Sequence, residues 1–175
     1  MIKLRELKEK DAPLMYEWMH DSDIYKYFKR NLNDTTIDDV LNFIKESKIA
    51  PVLKEGASIH YAIVDSSTDE YIGTISLKDI DLDNKRAEYS IVTRKSFRGK
   101  GIGYEATNQI LHKAFFDLDL RRVYLNVYSN NIYAIKLYEK CGFTFEGEFR
   151  NHFIINGEPV GWKWYGILKE EFKED

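Results

Sequence analysis

The residues of this chain that are best suited to chemistry are a cluster of glycines and cations between residues 94 and 103. The glycines are Gly99, Gly101 and Gly103, and the cations are Arg94, Lys95, Arg98 and Lys100. Glycine lets a backbone approach a ligand without obstruction by a side chain. Lysine and arginine place positive charge beside the same backbone. The cluster therefore predicts a binding site for a phosphorylated ligand, most naturally a pyrophosphate.

The elements on either side of this cluster are predicted to be a strand and a helix. The run Ser90–Thr93, rich in β-branched residues, precedes it. Apolar residues then recur at every fourth position, at Ile102, Ala106, Ile110, Ala114 and Leu118. That spacing is typical of an amphipathic helix. The first turn of such a helix has unpaired amide N–H groups and the positive end of the helix dipole, which favours an anion site at the glycines.

Two common phosphate-binding motifs do not fit the cluster. The string G-x-x-x-x-G-K-[ST] of P-loop NTPases does not occur in the chain. Residues Gly101–Ala106 spell G-x-G-x-x-A, as in dinucleotide-binding folds, but residues 94–98 separate the predicted strand from the first glycine. Those folds also place an acidic residue about 20 residues further on, and the predicted strand Arg122–Tyr128 ends without one. Both classes are therefore disfavoured.

Two motifs of the chain resemble those of the GNAT superfamily of N-acetyltransferases. The pattern Arg98-x-x-Gly101-x-Gly103 is similar to the superfamily's R/Q-x-x-G-x-G/A. The segment Asn131–Phe143 is similar to its N-x-x-A/S-x-x-L-Y-x-x-x-G-F. The resemblance covers most of the chain from about Tyr61 onward and is strongest to the RimJ/RimL and spermidine acetyltransferase branch.

This resemblance implies a fold and a reaction. We expect residues 1–175 to form a single N-acetyltransferase domain. Its fold class is then α/β (mixed α+β), with a central mixed, mostly antiparallel, splayed sheet and helices on both faces. The implied reaction is the direct transfer of an acetyl group from acetyl-CoA to a primary amine of a small molecule, such as an amino sugar or a polyamine.

The resemblance also implies which residues hold acetyl-CoA. In relatives, the strand before the glycines separates from the strand after the helix, so its backbone pairs with the pantetheine arm. Carried over to this chain, the donor site comprises Ile91, Val92, Thr93, Arg98, Gly99, Lys100, Gly101, Ile102, Gly103, Asn131 and Ala134. From the residues alone, 91–93 fit a core strand equally well, and Asn131 fits a helix N-cap.

Two residues are implied to carry out the chemistry. Tyr138 matches a tyrosine whose hydroxyl acts as general acid toward the leaving thiolate, and a phenol with a pKa of about 10 is protonated at neutral pH. Glu88 matches a strand glutamate that in relatives faces the acceptor amine, often acting through water, and it would serve either as the base or only to steer the acceptor cation. On spacing alone, Tyr138 would be a core residue beside Ala134, Leu137 and Cys141, and Glu88 an exposed strand residue.

The residues leave the acceptor open. Carboxylates would favour a polyamine, and Asp79, Glu88 and the acidic N-terminal helices could supply them. Aromatic side chains would favour an amino sugar, and those available are Tyr25, Tyr27, Phe28, Trp162 and Trp164. Two further alternatives are a ribosomal-type protein N-terminal acetyltransferase and a non-catalytic acyl-CoA-binding sensor module. The presence of Tyr138 argues against the sensor.

Composition disfavours several other classes. The 175 residues, 43% of them hydrophobic, are enough for one domain with a core. A net charge of −3 gives no global field for binding nucleic acid or an anionic membrane. One cysteine and four scattered histidines predict neither a disulfide nor a metal site. We expect a cytoplasmic protein. The residues leave the oligomeric state open, but members of the superfamily often dimerise, and the aromatic C-terminal hairpin is a candidate surface for a homodimer.

The remaining patterns predict the element order β-αα-βββ-α-β-α-ββ. The strands are predicted near residues 2–7, 58–64, 71–77, 86–93, 121–128, 143–155 and 160–168, and the principal helices near 12–20, 37–48, 101–118 and 131–140. An Asn156-Gly157 turn is expected to join the last two strands.

Overall fold

The fold is built on one mixed sheet. A computed structural model describes residues 1–28, 31–49 and 52–173, and within them the strands are β1 (Ile2–Glu6), β2 (Ile59–Asp65), β3 (Tyr71–Asp81), β4 (Arg86–Thr93), β5 (Arg122–Tyr128), β6 (Thr144–Ile155) and β7 (Glu158–Leu168). Their order in the sheet is β1-β2-β3-β4-β5-β7-β6. Neighbours run antiparallel except for β4 and β5, which run parallel.

Helices pack on both faces of this sheet, which confirms the predicted architecture. They are α1 (Ala12–Met19), α2 (Ser22–Tyr25), α3 (Ile37–Glu46), α4 (Ile102–His112) and α5 (Ile132–Lys140). Met15 of α1 and Val40 of α3 belong to an apolar cluster on one face. Ile110 of α4 and Ile135 of α5 belong to a second cluster on the other face. The two faces therefore have separate cores.

The helix predicted over 101–118 is shorter than its pattern indicated. Helix α4 ends at His112, and the chain continues as a π-helical turn, Lys113–Asp117. A repeat of four residues advances about 40° more than one full α-helical turn, so each apolar residue drifts away from the sheet. The wider π-helical turn compensates for this drift. As a result Ala114 and Phe115 both stay in the core, at 0% exposed.

The closing hairpin has the predicted turn. Strands β6 and β7 are joined by Asn156 and Gly157, whose φ angles are 52° and 81°. Two successive residues with positive φ are what a tight two-residue hairpin turn requires.

The sheet is splayed between its two parallel strands. Strand β4 pairs with β5 only where Arg86–Glu88 lie beside Arg122–Tyr124. Beyond that point β4 stays paired with β3 as far as Thr93, and β5 stays paired with β7 as far as Tyr128. The expected splay is confirmed. We call the space between residues 89–93 and residues 125–128 the β4–β5 gap.

Candidate active site

The segment from Arg98 to Gly103, here called the glycine loop, has the backbone conformation that an anion site needs. Gly99 and Gly101 have φ angles of 74° and 78°, a region that residues with a side chain rarely adopt. The first backbone hydrogen bond of α4 runs from the Glu105 N–H to the Gly101 carbonyl. The amides of residues 102–104 precede it and so have no intrahelical acceptor.

The four cations near the glycine loop divide into two pairs. Arg94 and Lys95 are held by carboxylates: the Arg94 guanidinium has two within 3.5 Å, and Lys95 Nζ lies 2.7 Å from Asp23. Arg98 and Lys100 are exposed, and neither forms an ion pair with a carboxylate that the structure describes. Two of the four cations therefore fasten the start of the loop to the N-terminal helices, while the other two are available to an anion.

The β4–β5 gap leads to the first turns of both α4 and α5. Ile91–Thr93 are half-buried, and the backbone groups on their β5 side lie in the unpaired part of β4. Asn131 caps α5, since its Oδ1 accepts from the Ala134 N–H at 3.4 Å. A Cβ added to Gly103 would lie 3.0 Å from Leu137 Cδ2, so the Leu137 side chain would have to shift to admit it. The start of α4 is thus packed closely against α5.

Tyr138 lies beneath the start of the gap, on the α5 face of the sheet. Its ring meets that of Tyr89 edge-on at 5.8 Å between centroids, and Tyr89 is the first β4 residue beyond the pairing with β5. The side chain is 8% exposed, and burial raises the pKa of its hydroxyl above the usual value. Among described residues, no side chain hydrogen-bonds to that hydroxyl. Tyr138 is therefore a core residue and also a protonated donor beside the gap.

Glu88 faces the other side of the sheet, because neighbouring residues of a strand point to opposite faces. Its carboxylate accepts a hydrogen bond from Lys78 Nζ at 2.7 Å across β3 and β4. Both side chains are partly exposed. The sequence-predicted base is therefore a member of an ion pair.

A cavity of about 770 Å³ lies on the same face as Glu88, between the sheet and helices α1 and α3. Its aromatic lining residues are Trp18, Phe28 and Phe43. Its polar lining residues are Asn31, Asp34, Thr35, Asp39, Asn42, Glu46, His60, Thr74, Ser76, Lys78 and Ser90. Ile91 and Val92 of β4 complete the lining, so the cavity reaches the strand that borders the gap.

This combination of a splayed sheet, a glycine loop and two flanking helices is matched by a known family. Residues 2–144 match the family model of the acetyltransferase (GNAT) domain. The chain belongs to the GNAT acetyltransferase family. It is an N-acetyltransferase that moves an acetyl group from acetyl-CoA to an amine.

Its relatives include spermidine N-acetyltransferases. The GNAT chain is 27% identical over 157 residues to the spermidine N(1)-acetyltransferase of Escherichia coli K12, which covers 90% of this chain and 80% of that enzyme. It is 28% identical over 172 residues to an uncharacterised N-acetyltransferase, p20, of Bacillus licheniformis, covering 98% and 94% of the two chains. The crystal structure of spermidine N-acetyltransferase from Vibrio cholerae in complex with CoA and spermine superposes with a TM-score of 0.85 at 26% identity, over 97% and 96% of the chains. The expected spermidine acetyltransferase-like branch is confirmed.

The residues of this GNAT protein fit the donor that its family uses. The glycine loop offers unpaired amides and two free cations to a diphosphate, and the unpaired edge of β4 offers backbone groups to the amides of a pantetheine arm. The sequence-predicted donor residues all lie in the loop, on that edge or at the start of α5. Individual contacts of Arg98, Asn131 or Ala134 with acetyl-CoA stay predictions.

Several residues of the cavity were not identified from the sequence. Asp34, Asp39 and Glu46 lie in a region that resembles the family only loosely, and they were visible only as part of an acidic composition. His60 and Ser76 carry no motif, and they meet only through the register of β2 with β3. The alternation of side chains along a strand indicates which residues share a face of the sheet. No local signal indicates which residues of two neighbouring strands are paired.

Other candidates for acceptor binding lie outside the cavity. Asp79 is exposed, with φ of 48°, at the irregularity in the β3–β4 pairing, so its suggested contact with a polyamine is not supported. Of the aromatic residues suggested for an amino sugar, Phe28 lines the cavity. Trp162 and Trp164 instead belong to an aromatic cluster on β7, across the gap.

Two further observations apply to residues 1–28, 31–49 and 52–173. They contain no group of three or more His, Cys, Asp or Glu residues that could hold a metal ion. None of the helices there is both long enough and apolar enough to cross a membrane.

Proposed function

We propose that the acceptor of this GNAT enzyme is a small, flexible polycation of the polyamine class, acetylated on a primary amine. The observation that carries the proposal is the cavity beside β4, which combines three carboxylates with apolar and aromatic walls. An alkyl chain with an ammonium group at each end matches both kinds of lining.

The carboxylates lie on one wall of the cavity. Asp34 precedes α3, and Asp39 and Glu46 belong to it. Neither Asp34 nor Glu46 forms an ion pair with a described residue, so both charges are available to a cationic ligand. Lys78 is the opposing charge in the lining, and its ion pair with Glu88 at 2.7 Å offsets part of that charge. The cavity therefore favours cations over anions.

The aromatic wall suits the same ligand. The rings of Trp18 and Phe28 stack with centroids 5.8 Å apart. Phe43 meets His60 edge-on at 4.8 Å. Aromatic faces attract ammonium groups and also cover methylene chains. The spermidine enzymes among the relatives, one of them solved with CoA and spermine, support the same acceptor class.

The two faces of β4 separate the two proton transfers. The cavity brings the amine to one face, while Tyr138 lies on the other, with the β4–β5 gap between them. We assign to Tyr138 the general acid that protonates the leaving sulfur. Burial raises the pKa of Tyr138, so the hydroxyl stays protonated until a thiolate develops. Glu88, paired with Lys78, steers the acceptor cation toward β4.

Three alternatives are less well supported. An amino sugar would need aromatic stacking at the reacting amine, and the two tryptophans suggested for it lie outside the cavity. A protein N-terminus would need an extended groove for the following residues, whereas the lining residues form a cavity between two helices and the sheet. A non-catalytic acyl-CoA sensor would need the ring of Tyr138 for packing but would have no use for its hydroxyl.

A thiol-release assay with a panel of amines tests the proposal. Free CoA thiol is measured from acetyl-CoA with spermidine, spermine, putrescine, glucosamine and a short peptide with a free N-terminus. We expect kcat/KM to be highest for the polyamines. A tenfold preference for glucosamine or the peptide would contradict the acceptor class, and tight acetyl-CoA binding without amine-dependent release would favour the sensor.

A matched pair of variants on α3 locates the acceptor. Glu46→Gln removes a charge from the cavity wall, whereas Asp38→Asn removes one from the same helix outside the cavity lining. We expect the first change to raise KM for spermidine about fivefold, the effect of a partly exposed ion pair, and the second to leave it unchanged. Equal effects of the two variants would show that only general charge matters.

Three further assignments stay proposals of the same kind. We treat residues 1–175 as one N-acetyltransferase domain, place the protein in the cytoplasm, and expect a homodimer through the β6–β7 hairpin. Phe145 and Phe149 of that hairpin are about half exposed, 50% and 53%. Sedimentation equilibrium of the full chain tests the dimer, and a monomer at micromolar concentration would contradict it.

A further inference from the structure

A row of three polar side chains crosses the floor of the cavity. His60 of β2, Ser76 of β3 and Ser90 of β4 are direct cross-strand partners, since Ser76 is paired with each of the other two. All three line the cavity. Neighbouring strands lie about 4.8 Å apart, so the row runs about 10 Å from β2 to the strand that borders the gap.

The contacts within the row suit proton transfer. His60 Nδ1 lies 2.7 Å from Ser76 Oγ. Ser76 is 4% exposed. The Cβ atoms of directly opposed residues such as Ser76 and Ser90 are about 4.5–5.5 Å apart, so a rotation of either hydroxyl, or one water, connects them. Ser90 lies two residues past the last β4 residue that pairs with β5. The proposed function places the acceptor amine at this part of β4.

The surroundings of His60 keep it neutral. Burial, and then the positive charge of Lys78, lower the pKa of its imidazole below the ordinary value of 6.5. The other charged groups that line the same cavity are Asp34, Asp39 and Glu46, from the loop before α3 and from α3 itself. At neutral pH His60 is therefore a proton acceptor.

We propose that the row Ser90–Ser76–His60 carries a proton from the bound acceptor ammonium to His60. The inference deepens the proposed function and rests on it. His60 acts through two serines and does not touch the reacting atoms, so it is a positioning residue of the proton path. In this scheme Glu88, which is paired with Lys78, only steers the acceptor cation.

The proton transfers balance. The acceptor enters as R–NH3+ and gives one proton to Ser90 Oγ while the Ser90 proton moves to Ser76 and the Ser76 proton moves to His60 Nδ1. The amine lone pair then forms the C–N bond as the thioester C–S bond breaks. Tyr138 gives its proton to the sulfur and recovers one from the nitrogen. His60 finally releases its proton to solvent, so each turnover yields an acetylamide, CoA thiol and one proton.

The test is the pH dependence of acetyl transfer to spermidine by the full chain. In the wild type, kcat should fall as the pH drops through the pKa of His60, which lies below 6.5, because protonated His60 accepts nothing. In His60→Gln we expect kcat at neutral pH to fall about 10²-fold, with the inflection lost and KM nearly unchanged. Ser76→Ala should have the same effect while leaving the imidazole in place.

Three controls separate the proton path from structural damage. His112→Gln, a matched change on an exposed residue of α4, should keep the wild-type profile. Glu88→Gln should raise KM for spermidine and keep the acid inflection. Added imidazole should partly restore turnover in His60→Ala, and unchanged affinity of His60→Gln for acetyl-CoA shows that the variant is folded.

Each outcome decides between the two proposals. A wild-type profile in His60→Gln, or loss of the inflection in Glu88→Gln instead, overturns the row while the acetyltransferase assignment stands. Absence of thiol release by the wild type with every amine overturns both.

Discussion

At the scale of single residues, the proposed chemistry depends most on the hydroxyl of Tyr138. That side chain is packed edge-on against Tyr89 and Phe143, and burial raises the pKa of its hydroxyl. We expect Tyr138→Phe to lower kcat about 10²-fold or more, the usual contribution of a general acid, because phenylalanine keeps the packing and removes the proton.

The measurement that checks Tyr138 compares turnover with donor binding. Steady-state thiol release gives kcat, and calorimetric titration gives the dissociation constant of acetyl-CoA. The constant should change less than twofold. Wild-type turnover in the variant would remove Tyr138 from the mechanism, and a large loss of affinity would assign it to binding.

Lys78 provides a second prediction, because its charge acts on His60. The positive charge contributes to lowering the pKa of His60. Its removal should raise that pKa, so the pH at which activity is lost on acidification should move upward in Lys78→Met. The matched control is Lys85→Met, a lysine that is also paired with a carboxylate, Asp119 at 2.6 Å, but that does not line the cavity. A shift to lower pH, or equal shifts in both variants, would contradict the coupling.

At the scale of elements, the glycine loop connects the sequence with the donor site. Gly101 has a φ of 78° and no atom within 4 Å of an added Cβ. Gly56 has the same properties, with a φ of 73°, in the segment before β2. An alanine at either position should cost about 1–2 kcal/mol of backbone strain. The two glycines therefore form a matched pair.

We expect the two variants to differ in donor binding. Gly101→Ala places a methyl group at the start of α4, where the diphosphate of acetyl-CoA is proposed to lie, and should weaken binding about tenfold or more. Gly56→Ala should bind acetyl-CoA as the wild type does. Calorimetric titration of both checks this. Equal affinities would show that the diphosphate lies elsewhere.

The sequence was most informative for elements with strong local signals. Strand β4 has its predicted bounds, and the Asn156-Gly157 turn joins the strands that it was expected to join. The predicted end of α4 was wrong. The four-residue apolar repeat is typical of an α-helix, but the last turn of the segment that carries it is a π-helix. Asp11 is the N-cap residue of α1, but its carboxylate accepts a hydrogen bond from Arg5 at 2.7 Å instead of capping the helix.

The candidate site also has one part that the sequence indicates and another that it does not. The residues predicted to hold the donor lie at the end of β4 and in two local motifs, all of which can be recognised from the sequence. The acceptor cavity combines α1, α3 and three strands, and its cross-strand row His60, Ser76 and Ser90 exists only in the assembled register. A pattern within one segment contains no information about that register.

At the scale of the whole molecule, the sheet consists of two parts that meet over a short contact. Strands β1–β4 and strands β5–β7 are joined where three residues of β4 pair with three of β5. A donor bound in the β4–β5 gap would contact both parts. Ligand that binds only the folded state at 100 times its dissociation constant stabilises it by about 2.7 kcal/mol.

We therefore expect acetyl-CoA to raise the melting temperature. For a chain of this size each kcal/mol corresponds to about 2–4 °C, so the shift should be about 5–11 °C at that concentration. Differential scanning calorimetry with and without ligand measures it. The Gly101→Ala variant should need about tenfold more ligand for the same shift, and a melting temperature independent of acetyl-CoA would contradict binding in the gap.

The most direct measurement of the central claim is a crystal structure of the full chain with CoA. The structure should place the diphosphate on the amides of residues 99–103 beside Arg98 and Lys100, and the pantetheine arm along Ile91–Thr93. The thiol should end within hydrogen-bonding distance of the Tyr138 hydroxyl. CoA bound with its diphosphate away from the glycine loop, or its thiol remote from Tyr138, would contradict the assignment of this gap as the site of acetyl transfer.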